Sequence, residues 1–275
     1  MFSQIYEELI RGKVGQLYKP DWRVSSLPRC QVELFLGTIT KDKEPLKKWL
    51  PKKNQLSEFY LEIGSGVHNV IQKWGSKTPY LLGNWKCWNC KRVYTEITPQ
   101  VQCCGRGTQY QEVEFQYSVG SHVLTGHADG IIAKDGKIGM IELKTKKTEE
   151  LELLQQPMPA HEIQLRCYAS MAKIQYGLKI DELWWHYQSR ESHKKYKQFK
   201  SLEINDDVFN KQIEAMKNVQ LVMETGDVGK LVKNCKVTEY EPCYWQEICK
   251  QETLEITLLN YWAEYTKCQN SIPKE

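Results

Sequence analysis

The sequence predicts an α/β fold in which a mixed sheet is flanked by helices. One reason is the stretch from Gln55 to Trp74, where apolar residues recur at the spacing of an amphipathic helix. A second reason is a pair of apolar, β-branched runs joined by a turn at 134–137, which is typical of a hairpin. A third is the helical stretch from His161 to Tyr176, which follows two prolines and ends at Gly177.

The remaining elements are shorter or less distinct. Ser25 and Ser26 are expected to cap a helix from Leu27 to Leu36, with Cys30 in its first turn. Local patterns add a short helix at 1–10, a loop at 41–53, strands at 112–117, 122–133, 138–145 and 181–188, and helices at 206–225 and 253–265.

Composition limits the class of protein. The 275 residues suit one large domain or two modest ones. A formal net charge of +4 is too small to indicate nucleic-acid binding, although it permits a local basic groove. Because no run is apolar enough to span a membrane and the amino terminus does not resemble a signal peptide, we expect an intracellular protein without membrane contact. Ten cysteines in such a protein favour metal binding over disulfides.

The predicted hairpin carries the strongest candidate chemistry. Glu142 and Lys144 are two residues apart on a strand and therefore project to one face, and pairing can bring Asp129 to the same face. Two carboxylates suit a hard cation such as Mg²⁺ or Mn²⁺, and a lysine can orient a water or offset phosphate charge. The alternative is a surface strand with an ordinary Glu–Lys pair.

Two helices carry further candidates. His68 lies on the 55–74 helix, one turn after Gly64, and is either a structural histidine or a ligand if that helix packs on the Asp129 sheet. On the 161–176 helix, Gln164 and Tyr168 share a face because they are four residues apart, whereas Cys167 is expected in the core.

The segment 86–107 has the cysteine spacing of a small zinc ribbon. Cys87 and Cys90 form a C-x-x-C pair, and Cys103 and Cys104 follow twelve residues later before a glycine. Four thiolates within eighteen residues favour a structural zinc over four buried thiols. Either Cys103 or Cys104 can be a bystander, in which case His122 is a candidate fourth ligand.

Taken in order, these residues resemble the RecB-type branch of the PD-(D/E)xK nucleases. That branch has a helix histidine, a G-H-x-D-G aspartate, an E-x-K strand and a Q-x-x-x-Y helix, which match His68, Asp129, Glu142 with Lys144, and Gln164 with Tyr168. The resemblance implies a restriction-endonuclease-like fold and a metal-dependent exonuclease acting on DNA, most simply at a free end. It implies metal ligands at His68, Asp129, Glu142 and the backbone carbonyl of Leu143, and catalytic roles for Lys144, Gln164 and Tyr168.

A subset of that branch, which includes AddB-type and CRISPR-adaptation nucleases, also resembles the two ends of this chain. Those proteins hold a 4Fe–4S cluster with one cysteine near the amino terminus and three near the carboxyl terminus. The matching residues are Cys30, Cys235, Cys243 and Cys249, although the gap between Cys235 and Cys243 is wider than the usual C-x-x-C. Buried thiols or a second zinc are the alternatives.

The resemblance also implies a division of the chain and a biological setting. We expect an N-terminal helical segment at 1–54, a nuclease core at 55–85 and 108–200, a zinc-ribbon-like insertion at 86–107, and a C-terminal helical segment at 201–275. The insertion is similar to those of phage-encoded members, and the expected partners are a helicase, a recombinase or a single-strand-binding protein. The rival functions are a non-catalytic zinc-containing DNA-binding module and a structure-specific endonuclease.

Overall fold

The structure is a computed structural model that describes residues 22–40, 55–97, 104, 107–232, 245, 249 and 254–270. The described residues divide into a first unit, drawn from Met1–Phe59, Ser118–Leu124 and Asn210–Glu275, and a second unit, drawn from Tyr60–Tyr117 and Thr125–Phe209. No helix in the described ranges is long and apolar enough to cross a membrane. The helix expected at 1–10 and the loop expected at 41–53 lie outside these ranges.

In the part of the chain that the structure describes, nine strands form two sheets. They are β1 (Leu81–Cys87), β2 (Val93–Ile97), β3 (Thr108–Gln111), β4 (Val113–Val119), β5 (His122–Ala128), β6 (Gly130–Lys134), β7 (Lys137–Lys146), β8 (Glu182–Ser189) and β9 (Tyr196–Ser201). The larger sheet has seven strands in the order β2-β1-β6-β7-β8-β9, with β3 also paired to β1, and β4 pairs with β5 separately. In the larger sheet, the β7–β8 pair is parallel and the other pairs are antiparallel. The prediction of a mixed sheet flanked by helices is confirmed.

Six α-helices accompany the strands, and they comprise α1 (Gln31–Thr40), α2 (Gln55–Gly75), α3 (Thr148–Leu153), α4 (Pro159–Tyr176), α5 (Asp207–Thr225) and α6 (Leu254–Asn270) within the described residues. As predicted, α4 ends at Gly177, which adopts the left-handed conformation. The start predicted for α1 is wrong by four residues, because Val24–Ser26 form a 3₁₀ turn and the first backbone bond of α1 runs from Leu34 N to Cys30 O. Cys30 therefore precedes α1 instead of lying in its first turn.

The β6–β7 hairpin aligns two predicted site residues. Asp135 and Gly136 both have positive φ, 51° and 74°, which is the backbone of a two-residue turn that matches strand twist. The resulting register pairs Gly130 with Ile141, so Asp129 comes level with Glu142. The single strand predicted at 122–133 is wrong in one respect, since the chain bends at Asp129 between β5 and β6.

Strand β7 is covered on both faces, which explains why it is apolar and nearly continuous. On one face, the indole of Trp185 in β8 donates to the His161 carbonyl of α4 at 3.1 Å. On the other face, α2 lies so close that a methyl group added to Gly64 would be 3.3 Å from Thr145 Oγ1. The side chain of Glu142, in the middle of β7, is consequently only 1% exposed.

No strand was predicted at 81–87, where the structure has β1. It pairs with β6 through Leu81 and Leu82, and β2 and β3 pair with β1 in turn. The cysteine-bearing segment therefore extends the main sheet. Its pairing is set by residues about 50 positions away in the sequence, so local composition did not indicate it.

In the first unit, polar contacts tie the segment around α1 to later parts of the chain. The Trp22 ring stacks on His122 with centroids 4.2 Å apart, and its indole nitrogen donates to Thr38 Oγ1 at 2.7 Å. Asn218 on α5 donates to Gln31 Oε1 at 2.7 Å, and α1 packs against α6. Of the residues expected to face inward on α5, Phe209, Ile213 and Met216 are all buried.

The close approach at Gly64 yields a prediction with a control on the same helix. Gly66→Ala should raise the free energy of unfolding by about 0.5–1 kcal/mol, because no atom lies within 4 Å of the new methyl group and alanine favours the helix. Gly64→Ala should gain less stability or lose some, because its methyl group meets Thr145. Urea unfolding of both variants measures this, and an equal gain from the two would show that α2 does not press on β7.

Candidate active site

The bend between β5 and β6 holds Asp129 in a fixed orientation. Its Oδ2 accepts a hydrogen bond from the backbone N–H of Leu143 at 2.7 Å, and its Oδ1 lies 3.3 Å from His68 Nδ1 on α2. Burial lowers the pKa of His68, but the hydrogen bond and negative charge of Asp129 outweigh that effect, so the pKa is raised above its usual value. Helix α2 thus packs its histidine directly against the aspartate, which was the condition for considering His68 a ligand.

Glu142 and Lys144 form an ion pair on the same face of β7, as the alternation of a strand predicted. The carboxylate is buried, and its Oε2 has no hydrogen-bond partner within the described part of the chain. Burial raises the pKa of Glu142 to about 7, with Asp129 adding to the rise and Lys144 opposing it. A buried carboxylate oxygen without a partner is unfavourable unless a cation or a donor completes it.

Helix α4 places Gln164 and Tyr168 beside this pair. Both side chains are buried, and the Gln164 amide donates to the Tyr168 hydroxyl at 3.2 Å. Burial raises the pKa of Tyr168, and the charges of Glu142 and Asp129 raise it further. Cys167 on the same helix is fully buried, as expected of a core residue.

Two further polar residues, Gln72 and His161, lie near the site, and they were not predicted from the sequence. The Gln72 amide, one turn after His68, donates to the Asp129 carbonyl at 3.1 Å and to Glu112 Oε1 at 2.5 Å. Gln72 lies four residues after His68 and therefore shares its helix face, so the sequence could have indicated that both side chains reach the site. His161 at the start of α4 contacts the Tyr187 hydroxyl at 2.9 Å, and burial holds its pKa well below the usual value, with Lys144 and Lys146 acting in the same direction.

An open cleft of about 390 Å³ adjoins Asp129, and its lining is polar and partly acidic. Gln72, Asn84, Tyr110, Glu112 and His127 contribute to its walls. Positively charged side chains lie instead at the ends of β7 and β8, which are close together because the two strands are parallel. There Lys147 and Arg190 lie over the Tyr60 ring at 5.7 and 4.1 Å from its centroid.

Three of the four predicted zinc ligands lie together. The Sγ atoms of Cys87, Cys90 and Cys104 are all within 4.8 Å of one another, and Cys103 lies outside the described residues. His122, considered as an alternative ligand, is not in this group, and its ring stacks on Trp22. Three sulfur atoms at this separation suit a tetrahedral site whose fourth ligand comes from elsewhere.

Two of the cysteines assigned to an iron–sulfur cluster, Cys30 and Cys249, belong to the first unit. Cys30 and Cys249 are both buried there, and Cys30 Sγ accepts a hydrogen bond from Glu33 N at 3.4 Å. Cys235 and Cys243 lie outside the described residues. The carboxylate site and the three-cysteine group belong to the second unit, so the two kinds of predicted metal chemistry fall in different parts of the fold.

A family profile and two solved structures are similar to this chain. The profile of the PD-(D/E)XK nuclease superfamily matches residues 67–250. Among solved structures, the crystal structure of SSO0001 is similar with a TM-score of 0.52 and 16% identity, over 91% of this chain and 98% of that one. An alkaline exonuclease (LHK-Exo) from Laribacter hongkongensis has a TM-score of 0.40 and 10% identity, over 80% of this chain and 97% of its own. No curated protein has significant sequence similarity.

The superfamily profile covers about two thirds of the chain, from the helix that carries His68 to the residue after Cys249. Asp129, Glu142 and Lys144 fall within the match, Asp129 just before β6 and the other two on the neighbouring strand β7. This protein belongs to the PD-(D/E)XK nuclease superfamily.

Proposed function

We propose that the protein is a divalent-metal-dependent deoxyribonuclease of the RecB type, acting as an exonuclease on DNA with a free end. The observation that carries this proposal is the convergence of His68, Asp129, Glu142 and Lys144 from one helix and two hairpin strands. A surface strand with an ordinary Glu–Lys pair does not account for a carboxylate that is 1% exposed.

The residues fit a hard divalent cation. Glu142 offers a buried oxygen without a protein partner in the described residues, and Asp129 offers a second carboxylate one strand away. His68 and the Leu143 carbonyl are the other proposed ligands, and the imidazole favours Mn²⁺ compared with a site made only of oxygens. When bound, the cation would supply a Lewis acid that offsets negative charge on the phosphate.

The side chains of this protein have separate tasks in the proposed hydrolysis. A water oxygen attacks phosphorus, the bond to one deoxyribose oxygen breaks, and that oxygen takes up a proton. Lys144 orients the attacking water or neutralises charge on the phosphate, and its pairing with Glu142 keeps its ammonium at the site. The Leu143 N–H and His68 hold Asp129 in one orientation, and we assign Gln164 and Tyr168 to positioning Lys144 and the substrate phosphate.

Several features favour DNA as the substrate. Lys146, Lys147 and Arg190 add positive charge at the end of the strand that carries Lys144, where a phosphate backbone can lie. By resemblance to RecB-type enzymes, we place the protein in recombination, replication or DNA processing, alongside a helicase, a recombinase or a single-strand-binding protein. A phage origin is part of the same proposal.

Two further metal centres complete the proposal. The close sulfur atoms of Cys87, Cys90 and Cys104 support a structural zinc, with Cys103 as the fourth ligand. Burial of Cys30 and Cys249, just before the two helices α1 and α6 that pack together, supports a structural 4Fe–4S cluster completed by Cys235 and Cys243.

Loss of a site residue should abolish cleavage without unfolding the protein. Asp129→Asn, Glu142→Gln and Lys144→Met should each lower the rate on end-labelled linear DNA by about a hundredfold or more, as expected for loss of a metal ligand or charge stabiliser. Asp135→Asn makes the same chemical change in the adjacent turn and should leave the rate unchanged. Circular DNA should resist the wild-type enzyme. An active Asp129→Asn variant would exclude the proposed site, and rapid cutting of circles would favour an endonuclease.

The raised pKa of Glu142 predicts how stability depends on pH without added divalent metal. Between its ordinary pKa of 4.5 and about 7, the folded protein keeps a proton that the unfolded chain has lost, so stability falls as the pH rises. Glu142→Gln cannot ionise and should raise the unfolding temperature at pH 8 but change it little at pH 5. Glu149→Gln is the control at an exposed position, and it should change the unfolding temperature by the same amount at pH 8 and at pH 5. A Glu142→Gln variant destabilised at pH 8 would show that the ionised carboxylate is favourable in the fold.

Elemental analysis of protein purified without oxygen tests both cysteine sites together. About one zinc and about four irons per chain are expected. Cys87→Ser should remove only the zinc, Cys249→Ser should remove only the iron and its brown colour, and the buried control Cys167→Ser should remove neither. Iron-free, colourless wild-type protein would exclude the cluster, and zinc retained by Cys87→Ser would exclude the ribbon site.

A further inference from the structure

The turn between Cys87 and Cys90 presents a large aromatic side chain to solvent. Trp88 is 63% exposed, although its backbone is held by hydrogen bonds from Trp88 N to Gly107 O at 3.2 Å and from Lys91 Nζ to Trp88 O at 2.8 Å. The turn is also closed by Lys91 N donating to Cys87 O at 3.1 Å. An indole that does not pack into the core, on a backbone held this firmly, is suited to contact a partner.

The charges around Trp88 indicate an anionic partner. Lys86, Lys91 and Arg92 lie within four residues of it, and the sequence from Lys86 to Thr95 contains no Asp or Glu. The acidic cleft beside Asp129 has the opposite character. A cationic turn with a central aromatic ring matches the two features of a nucleic acid strand, its phosphates and the flat faces of its bases.

Strand β1 connects this turn to the candidate active site. Leu82 pairs with Ile131, two residues after Asp129, and farther along β1 the pairing passes to β3, where Asn84 pairs with Gln111. Trp88 follows six residues after Leu82, about 20 Å farther along at ~3.3 Å per residue. At ~3.4 Å per stacked nucleotide, that distance corresponds to about six nucleotides.

We propose that Trp88 is a stacking platform for an unpaired base of a DNA single strand, within about six nucleotides of the phosphate that is cleaved. Lys86, Lys91 and Arg92 contact the neighbouring phosphates. The strand is single because an indole can cover a base only where the face of that base is exposed, and base pairing with stacking hides it in a duplex. The proposal rests on the proposed nuclease function for its register, but not for binding itself.

Binding can be measured without cleavage, in buffer free of added divalent metal, by the fluorescence anisotropy of a labelled 20-nucleotide oligodeoxythymidylate. Trp88→Ala should weaken binding about 5- to 150-fold, the range for loss of one base–aromatic stack. Trp88→Phe keeps an aromatic face and should lose much less. Trp74→Ala is the matched control, because Trp74 on α2 is also 63% exposed, and it should bind like wild type.

Wild-type affinity in Trp88→Ala would overturn the proposal, as would equal losses in Trp88→Ala and Trp88→Phe, which would assign the effect to the fold of the turn. Tight binding to blunt duplex that also depends on Trp88 would contradict the single-strand assignment. Protein that binds through Trp88 but never cleaves DNA would refute the nuclease function and leave this inference standing.

The register has its own test. Single abasic nucleotides are placed at successive positions from the labelled end, and wild-type binding should weaken most where the base opposite Trp88 is missing. That position should fall within about six nucleotides of the cleaved bond. In Trp88→Ala, no single abasic position should weaken binding more than the others. If affinity depends on the abasic position in the same way in both proteins, the assignment is overturned.

Discussion

The fold is organised around one buried negative charge. Glu142 lies in the middle of β7, between β6 and the parallel strand β8, and its side chain is almost inaccessible to water. An isolated carboxylate in such a position is costly. Lys144 offsets part of that cost from the same face, and the remaining oxygen without a partner leaves the site poised for a cation. Two other features complete the site. The turn at Asp135 and Gly136 aligns Asp129 with Glu142, and the packing of α2 brings His68 into contact with Asp129.

Much of this site was predictable, because its residues sit on elements with strong local signals. The Asp-Gly turn and the alternation of β7 define which side chains share a face, and the helix termination at Gly177 follows from its left-handed backbone. The pairing of β1 with β6 was not predictable in the same way. Strand pairing between distant segments depends on the partner, so the sequence at 81–87 did not by itself indicate a strand of the main sheet. The contacts of Gln72 and His161 likewise emerge only from packing.

The donor types are sorted by unit and by depth. Carboxylate and imidazole groups lie together beside the sheet, whereas cysteine side chains occur at the end of β1 and in the first unit. Oxygen donors favour Mg²⁺ or Mn²⁺ and sulfur donors favour zinc or iron, so the two sets of donors suit different metals. The exposed Trp88 lies on a turn whose two cysteines are fixed if zinc is bound.

The most direct test of the catalytic site is the position of the metal itself. Crystals soaked in Mn²⁺ should give an anomalous-scattering peak at the manganese edge roughly 2.2 Å from oxygens of Asp129 and Glu142, with the His68 imidazole in the same shell. The peak should disappear in Glu142→Gln and persist in Asp135→Asn. An empty site in crystals of protein that cleaves DNA in the same Mn²⁺ solution, or a peak bound by other residues, would contradict the assignment of these residues as the catalytic centre.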